Sequence, residues 1–297
     1  MGIFSTVKAN KAYRLQQKGE KQEAIRLYEE AFQEGVNDPR YNLAYALLII
    51  REGQYQKAKD FLVKHQKAPM SQEQRTTLLV DYAACCFRLG NLDKGIDVLE
   101  QQFRKTKTGL LYQTLGYLYV EKYDAANRPD FEAMKPAEQP EETDAAQPEE
   151  TDAAQPEEEQ PENPAPETAL TEQPENPAEK PLTPEEAWEA GKKKAEEFVR
   201  SAVEYDDEDS VCLDNLGQFL YRVLGDRAGA KPWFEKALAI KDSQIDTLYF
   251  LSRYDLEAGN KAAALEKLQK AAEGRFSPLN YCGQEAIQKE IAALKGV

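Results

Sequence analysis

Four cysteines and one histidine are the side chains of this 297-residue chain best suited to metal binding or nucleophilic chemistry. Their spacing serves neither. Cys85 and Cys86 are adjacent, so on a helix their side chains diverge by about 100°. Cys212 and Cys282 stand alone, no C-x-x-C pair occurs, and His65 has no second histidine with which to build a zinc set. The thiols read as buried and inert, with redox or metal roles as the alternative. Carboxylates are plentiful, but the run "YDDEDS", Tyr205 to Ser210, reads as a solvated junction between helices. Neither the phosphate-cradling loop G-x-x-x-x-G-K-S/T nor the nucleophile elbow G-x-S-x-G is present. The expectation is a non-enzymatic protein with no cofactor and no metal.

Charge divides the chain. The formal net charge is −15. Residues 136–184 hold 15 acidic residues and a single base, Lys180, together with 11 of the 16 prolines and no aromatic residue. The remaining residues carry 38 acids and 37 bases, close to neutrality. Within the acidic stretch an eight-residue phrase repeats, "QPEETDAAQPEETDAAQPEEE" from Gln139 to Glu159. Such a composition cannot bury enough apolar surface to offset its ordering entropy, so disorder is expected over 128–183. Elsewhere Lys and Arg are scattered and form no stripe with stacking aromatics, which predicts no nucleic-acid partner.

The longest apolar run, "LAYALLII" from Leu43 to Ile50, is far too short to span a membrane. The start, "MGIFST", turns polar within a few residues. It reads as no secretory signal, although it fits the permissive acylation pattern Met-Gly-x-x-x-Ser/Thr. Reduced thiols and the missing signal predict a cytoplasmic protein.

The elements that carry these residues repeat. Gly19, Gly53 and Gly90 are 34 and 37 apart, and Gly225 and Gly259 are 34 apart. Five positions after each stands a small residue: Ala24, Ala58, Gly95, Ala230 and Ala264. Four further on stands a large apolar one: Tyr28, Leu62, Leu99, Phe234 and Leu268; Ala31, Ala237 and Ala271 continue three of the series. This is the pattern of a helix, a glycine turn and a second helix, the small residue allowing close approach and the large one stacking on the same face.

The chain resembles the tetratricopeptide-repeat (TPR) family. "LYQTLGYLY" supplies Leu115, Gly116 and Tyr119 of the L-G-x-x-Y signature, and "DNLGQFLY" repeats Leu216 and Gly217 with its aromatic one place late at Tyr221. Departures are Gly95 in place of alanine, His65 at the third small position, and no tryptophan at the opening position. The resemblance implies an all-α, right-handed superhelical solenoid of paired antiparallel helices, about six repeats with a C-terminal capping helix. The expected pairs cover 5–36, 39–67, 73–105, a fourth starting at 108–123, 210–240 and 244–273. The fourth is split by the insert and resumes at a capping box, "TPEE", with Thr183 as N-cap and Glu186 at N3. Repeats over 1–127, an acidic insert over 128–183, and repeats with the cap over 184–297 follow. One continuous solenoid is favoured over two modules, since a split repeat would leave each half with an unpaired helix.

The resemblance also implies a binding groove on the concave face, lined by the first helix of each pair. Its positions here are Tyr13, Leu43, Leu47, Ile50, Val80, Ala84, Phe87, Tyr117, Val120, Tyr221, Tyr249 and Phe250. The polar positions are Asn10, Asp81, Gln113, Asn215, Gln218 and Arg253. Several of these could instead be inter-helix core, most of all in the all-round apolar "YNLAYALLII". Thr77 and Asp81 stand where relatives that grip a C-terminal carboxylate need basic residues, which argues against that specialisation. The expected function is a scaffold binding an apolar or amphipathic segment of a protein or peptide partner. The alternative makes the acidic insert the active element, a polyanion recruiting basic proteins or shielding the solenoid from them.

Overall fold

Gly19, Gly53, Gly90, Gly225 and Gly259 take φ between +69° and +82°, a left-handed conformation that costs a residue with a Cβ about 1–2 kcal/mol. Each turns the chain back between two helices of the computed structural model, which describes residues 3–133 and 182–296. The pairs are α1 (Ile3–Gln17) with α2 (Lys21–Gln33), α3 (Pro39–Arg51) with α4 (Tyr55–His65), and α5 (Gln72–Arg88) with α6 (Leu92–Lys105). After α7 (Gly109–Tyr123) and a short 3₁₀ turn, the helix α8 (Pro184–Tyr205) follows; then α9 (Ser210–Gln218) pairs with α10 (Arg227–Ile240) and α11 (Ile245–Glu257) with α12 (Lys261–Ala272). The last helix is α13 (Gln284–Lys295). This all-helical order is the expected fold class. Most of the acidic stretch, residues 134–181, lies outside the described residues, and with it the expectation of disorder there.

The chain falls into two compact units, one of Met1–Arg128 with Glu189–Val297 and one of Pro129–Trp188. Both repeat arms thus belong to one unit. Of the other, the described residues include a ring contact between Phe131 and Trp188 and the capping box at Thr183. There the Thr183 N–H donates to Glu186 Oε2 at 2.8 Å and the Glu186 N–H to Thr183 Oγ1 at 3.3 Å. A second capping box, Ser71 with Gln74, starts α5.

The glycine turns share one hydrogen bond. The N–H after the glycine reaches the carbonyl five residues back: Glu20 to Leu15, Gln54 to Ile49, Asn91 to Cys86 and Asn260 to Asp255, at 2.8 to 3.0 Å. In the fifth repeat Asp226 reaches six back, to Leu220, at 2.8 Å. The extra residue comes from a π-helical turn, Phe219–Val223, that continues α9. It also explains why the aromatic of "DNLGQFLY" arrives one place late at Tyr221: a π turn inserts one residue into the α-helical register.

Within each pair the small residue is fully buried: Ala24, Ala58, Ala230 and Ala264 have no exposure. The large partners Tyr28, Leu62, Leu99, Phe234 and Leu268 are at most 1% exposed. Gly95 departs from alanine for a local reason, since a Cβ there would lie 3.1 Å from the Ala83 carbonyl oxygen of α5. His65 fills the third small position by stacking on Phe61 at 4.3 Å, with Nδ1 2.9 Å from Asn37 Oδ1. The interrupted repeat closes through rings: Phe198 of α8 meets Phe103, Tyr112 and Tyr119 at 5.2 to 5.5 Å.

Gly217→Ala tests this packing. A Cβ at Gly217 would lie 2.8 Å from the Phe234 ring, and that ring is stacked on Phe250 at 5.1 Å with no room to retreat. Helix propensity favours alanine by about 1 kcal/mol, but overpacking costs roughly 1–3 kcal/mol. The expected outcome is a lower denaturant midpoint, and a raised midpoint would show that the contact yields.

Candidate functional site

The first helices follow one another in chain order: α1 touches α3, α3 touches α5, α5 touches α7, α7 touches α9, and α11 reaches α9 through the Thr247 hydroxyl, which donates to Asp214. Among the described residues, two cavities on this first-helix face hold expected groove positions. The N-terminal one, of about 620 Å³, is lined by Tyr13, Gln16, Leu43, Leu47, Arg51, Thr77, Asp81 and Arg275, among others. Tyr13 is 45% exposed, so its ring is open to a ligand. Leu43 and Leu47 are half-buried; Asn10 is not part of this lining and accepts from the Tyr41 hydroxyl at 2.8 Å.

Asp81 is the unusual group in this cavity. Its Oδ2 is buried and accepts no hydrogen bond from the described residues. Burial pushes the carboxyl up to about 7, against the opposing pull of Arg51. Arg51 lies beside Arg275, and burial and that second guanidinium both lower its own affinity for the proton.

The second cavity, of about 390 Å³, lies between Val80, Gln113, Tyr117, Asp214, Asn215 and Asp246 on one side and the segment after α12 on the other. That segment, Gly274–Gly283, crosses the first helices. Leu279 packs on the cluster that holds Val80 and Tyr117, with Phe87 alongside. Arg88 of α5 donates to the Pro278 carbonyl at 2.6 Å and the Asn280 carbonyl at 3.3 Å. The Asp246 carboxylate accepts from the Tyr281 N–H at 3.1 Å and from Asn280 Nδ2 at 3.2 Å.

Beneath it lies a buried polar network. Arg222, inside the π turn, donates to Asp124 Oδ2 at 2.7 Å, Glu121 Oε1 at 2.8 Å and Gln218 Oε1 at 2.9 Å. Its guanidinium sits 4.1 Å from the centre of the Tyr281 ring. Asp214 accepts from Gln218 Nε2 at 2.7 Å and from the Thr247 hydroxyl at 2.5 Å. Burial raises both Asp214 and Asp246 above the ordinary carboxylate range, and Asp214 raises Asp246 further.

The positions expected on the face therefore divide. Tyr13, Leu43 and Leu47 line an open cavity; Val80, Tyr117, Gln113 and Asn215 line the one under the segment. Ile50, Val120 and Phe250 are at most 2% exposed and sit in the inter-helix core, as does Ala84 at 3%. Asn215 is equally buried and ties α9 to α7, its Nδ2 donating to the Gln113 carbonyl at 2.8 Å. Tyr221 sits in a ring cluster with Phe250 and Tyr254. Tyr249 and Arg253 are both engaged by Glu290 of α13. Sequence reasoning missed Arg88, Arg222, Asp246 and the crossing segment. The late aromatic at Tyr221 was the one signal near Arg222.

Cys85, Cys86 and Cys212 are buried and Cys282 is half-buried. Burial pushes the Cys85 and Cys212 thiols up to about 12 and that of Cys282 to about 11. Among the described residues no helix is long and apolar enough to cross a membrane.

Paired helices, glycine turns and a shared first-helix face define a TPR solenoid. Residues 17–102 match the family described as anaphase-promoting complex, cyclosome, subunit 3. Among solved structures, TTC0263, a thermophilic TPR protein of Thermus thermophilus, is 14% identical with a TM-score of 0.54, over 88% of this chain and 100% of that one. The human IFIT1 dimer with m7Gppp-AAAA is 16% identical with a TM-score of 0.54, over 96% of this chain and 53% of that one, so the chain spans about half of that protein's length. No curated protein matches the chain in sequence. The chain has the fold of a tetratricopeptide-repeat protein.

The raised aspartates make a pH prediction. Unfolded aspartates titrate near about 3.9, whereas folded Asp81 titrates at about 7. Between those values the folded chain holds a proton that the unfolded chain has released, so stability falls as pH rises through that window. Asp214 and Asp246 act in the same direction. The melting temperature should be higher near about pH 5.5 than near about pH 8. Asp81→Asn should narrow that difference by raising the value at the higher pH. An unchanged difference in the variant would show that Asp81 is ionised throughout.

Proposed function

We propose that the protein is a non-enzymatic scaffold whose N-terminal first-helix cavity binds a short amphipathic segment of a partner protein. The observation that carries this reading is the pairing of open apolar side chains, Tyr13, Leu43 and Leu47, with a buried and unpartnered acceptor, Asp81 Oδ2, in one cavity. An apolar side chain of the partner covers the leucines, and a hydrogen-bond donor of the partner completes Asp81. A buried acceptor left unpaired costs about 1–3 kcal/mol, which a bound donor returns as affinity and selectivity. Arg51 and Arg275 at the rim favour carboxylates beside the apolar residues.

The acidic stretch 136–184 is a second candidate, supported by its net charge of −14 against near-neutral arms. Scrambling its order at fixed composition preserves a polyanion and destroys a sequence-read motif.

Random peptides selected on the full chain test the main reading. The peptides should share an apolar residue beside a donor, and Leu47→Ser with Tyr13→Ala should weaken them by about tenfold or more while the melting curve stays in place. Peptides indifferent to both substitutions would move the site off this cavity.

A further inference from the structure

The segment after α12 has the contacts of a bound peptide. A surface loop satisfies its backbone mostly with water, with itself or with side chains near it in sequence. Here carbonyls 278 and 280 are taken by Arg88, a side chain 190 residues earlier in sequence at the first of them. The N–H of 281 is taken by Asp246. Alternate side chains fill separate seats: Leu279 rests on the Val80 and Tyr117 cluster, and the Tyr281 ring lies 5.1 Å from Phe250 and 4.1 Å from the Arg222 guanidinium. Backbone held by side chains, with every second residue in a pocket, is how extended peptides are read.

The seat is nevertheless incompletely filled. Tyr281 remains 39% exposed, Leu279 is only half-buried, and the 390 Å³ cavity persists between the segment and α7, α9 and α11. Part of the segment's shape is fixed internally, since Asn280 Oδ1 accepts from the Ser277 N–H at 2.7 Å and Ser277 Oγ from the Leu279 N–H at 3.0 Å. A pre-shaped, loosely packed strand tethered at both ends can leave and return at little entropic cost.

We propose that Phe276–Cys282 is a displaceable internal ligand, and that the face formed by α5, α7, α9 and α11 binds an extended partner segment of the same chemistry. Such a segment carries an aliphatic residue two positions before an aromatic, presents backbone carbonyls to Arg88, and gives an N–H to Asp246. This seat adjoins the N-terminal cavity, with which it shares Arg275, and its test leaves Tyr13, Leu47 and Arg275 of the chain untouched.

The experiment uses the full chain with Leu279→Ser and Tyr281→Ser, which unseats the segment, and a labelled synthetic peptide of residues 274–283 carrying Cys282→Ser as the probe. The unseated chain should bind the probe at least about tenfold more tightly than the unaltered chain, because the tethered copy no longer competes. Adding Arg88→Ala should remove that binding. Equal binding to both chains, or binding indifferent to Arg88, would place the probe elsewhere and overturn the proposal. No binding to an unseated chain of native helicity would do the same. Hydrogen exchange on the unaltered chain decides the matter if the double variant does not fold. The Tyr281 amide should exchange by local opening, well before the α11 amides, and protection equal to theirs would make the segment core and overturn the proposal.

Discussion

The structure depends on helices that approach until a side chain has no room. At Ala24, Ala58, Gly95, Ala230 and Ala264 the second helix of a pair meets the first with nothing larger than a methyl group between them. That separation lets Tyr28, Leu62, Leu99, Phe234 and Leu268 reach the far side of the contact and close the core. A helix pair with one apolar flank cannot bury it alone, so each closed pair needs the next, and stacking follows. The first helices are thereby aligned side by side, which creates a continuous surface without any residue having been chosen for it.

The close contact was legible in the sequence because it recurs. A glycine with positive φ, a small residue five later and a large one four beyond it are local requirements of one turn, and five copies fix the register without reference to the rest of the chain. The surface was legible only in part. A position on a first helix can face inward and still be covered, and what covers Tyr117 is a stretch that belongs to no repeat. Leu279 and Tyr281 carry no periodicity, so nothing marks them as neighbours of α5 and α11. Ile50 failed for a different reason: on a helix that is apolar almost all round, an error of one position moves a side chain from groove to core.

The π turn shows how one residue can carry several consequences. By lengthening α9 by one position it delays the aromatic signature, shifts the turn's hydrogen bond from five residues to six, and brings Arg222 inward onto Glu121 and Asp124. A buried guanidinium without its carboxylates would be costly, so the acidic end of α7 and the irregular turn of α9 are mutually required. That pair of requirements spans the interrupted repeat, and it holds α9 against α7 where α8 touches its partners through rings.

Arg88 and the Pro278 carbonyl also change the mechanics of the array. A stack whose units touch only their neighbours behaves as a soft coil, and a pull on its ends is shared among the interfaces in series. A strand running from the last repeat back to the third is a chord across that coil. Tension applied to the ends loads the chord first, and the repeats between its anchors move as a block until it lets go. While the segment is seated, the first two repeats take up the extension, and once it is displaced the later repeats share it.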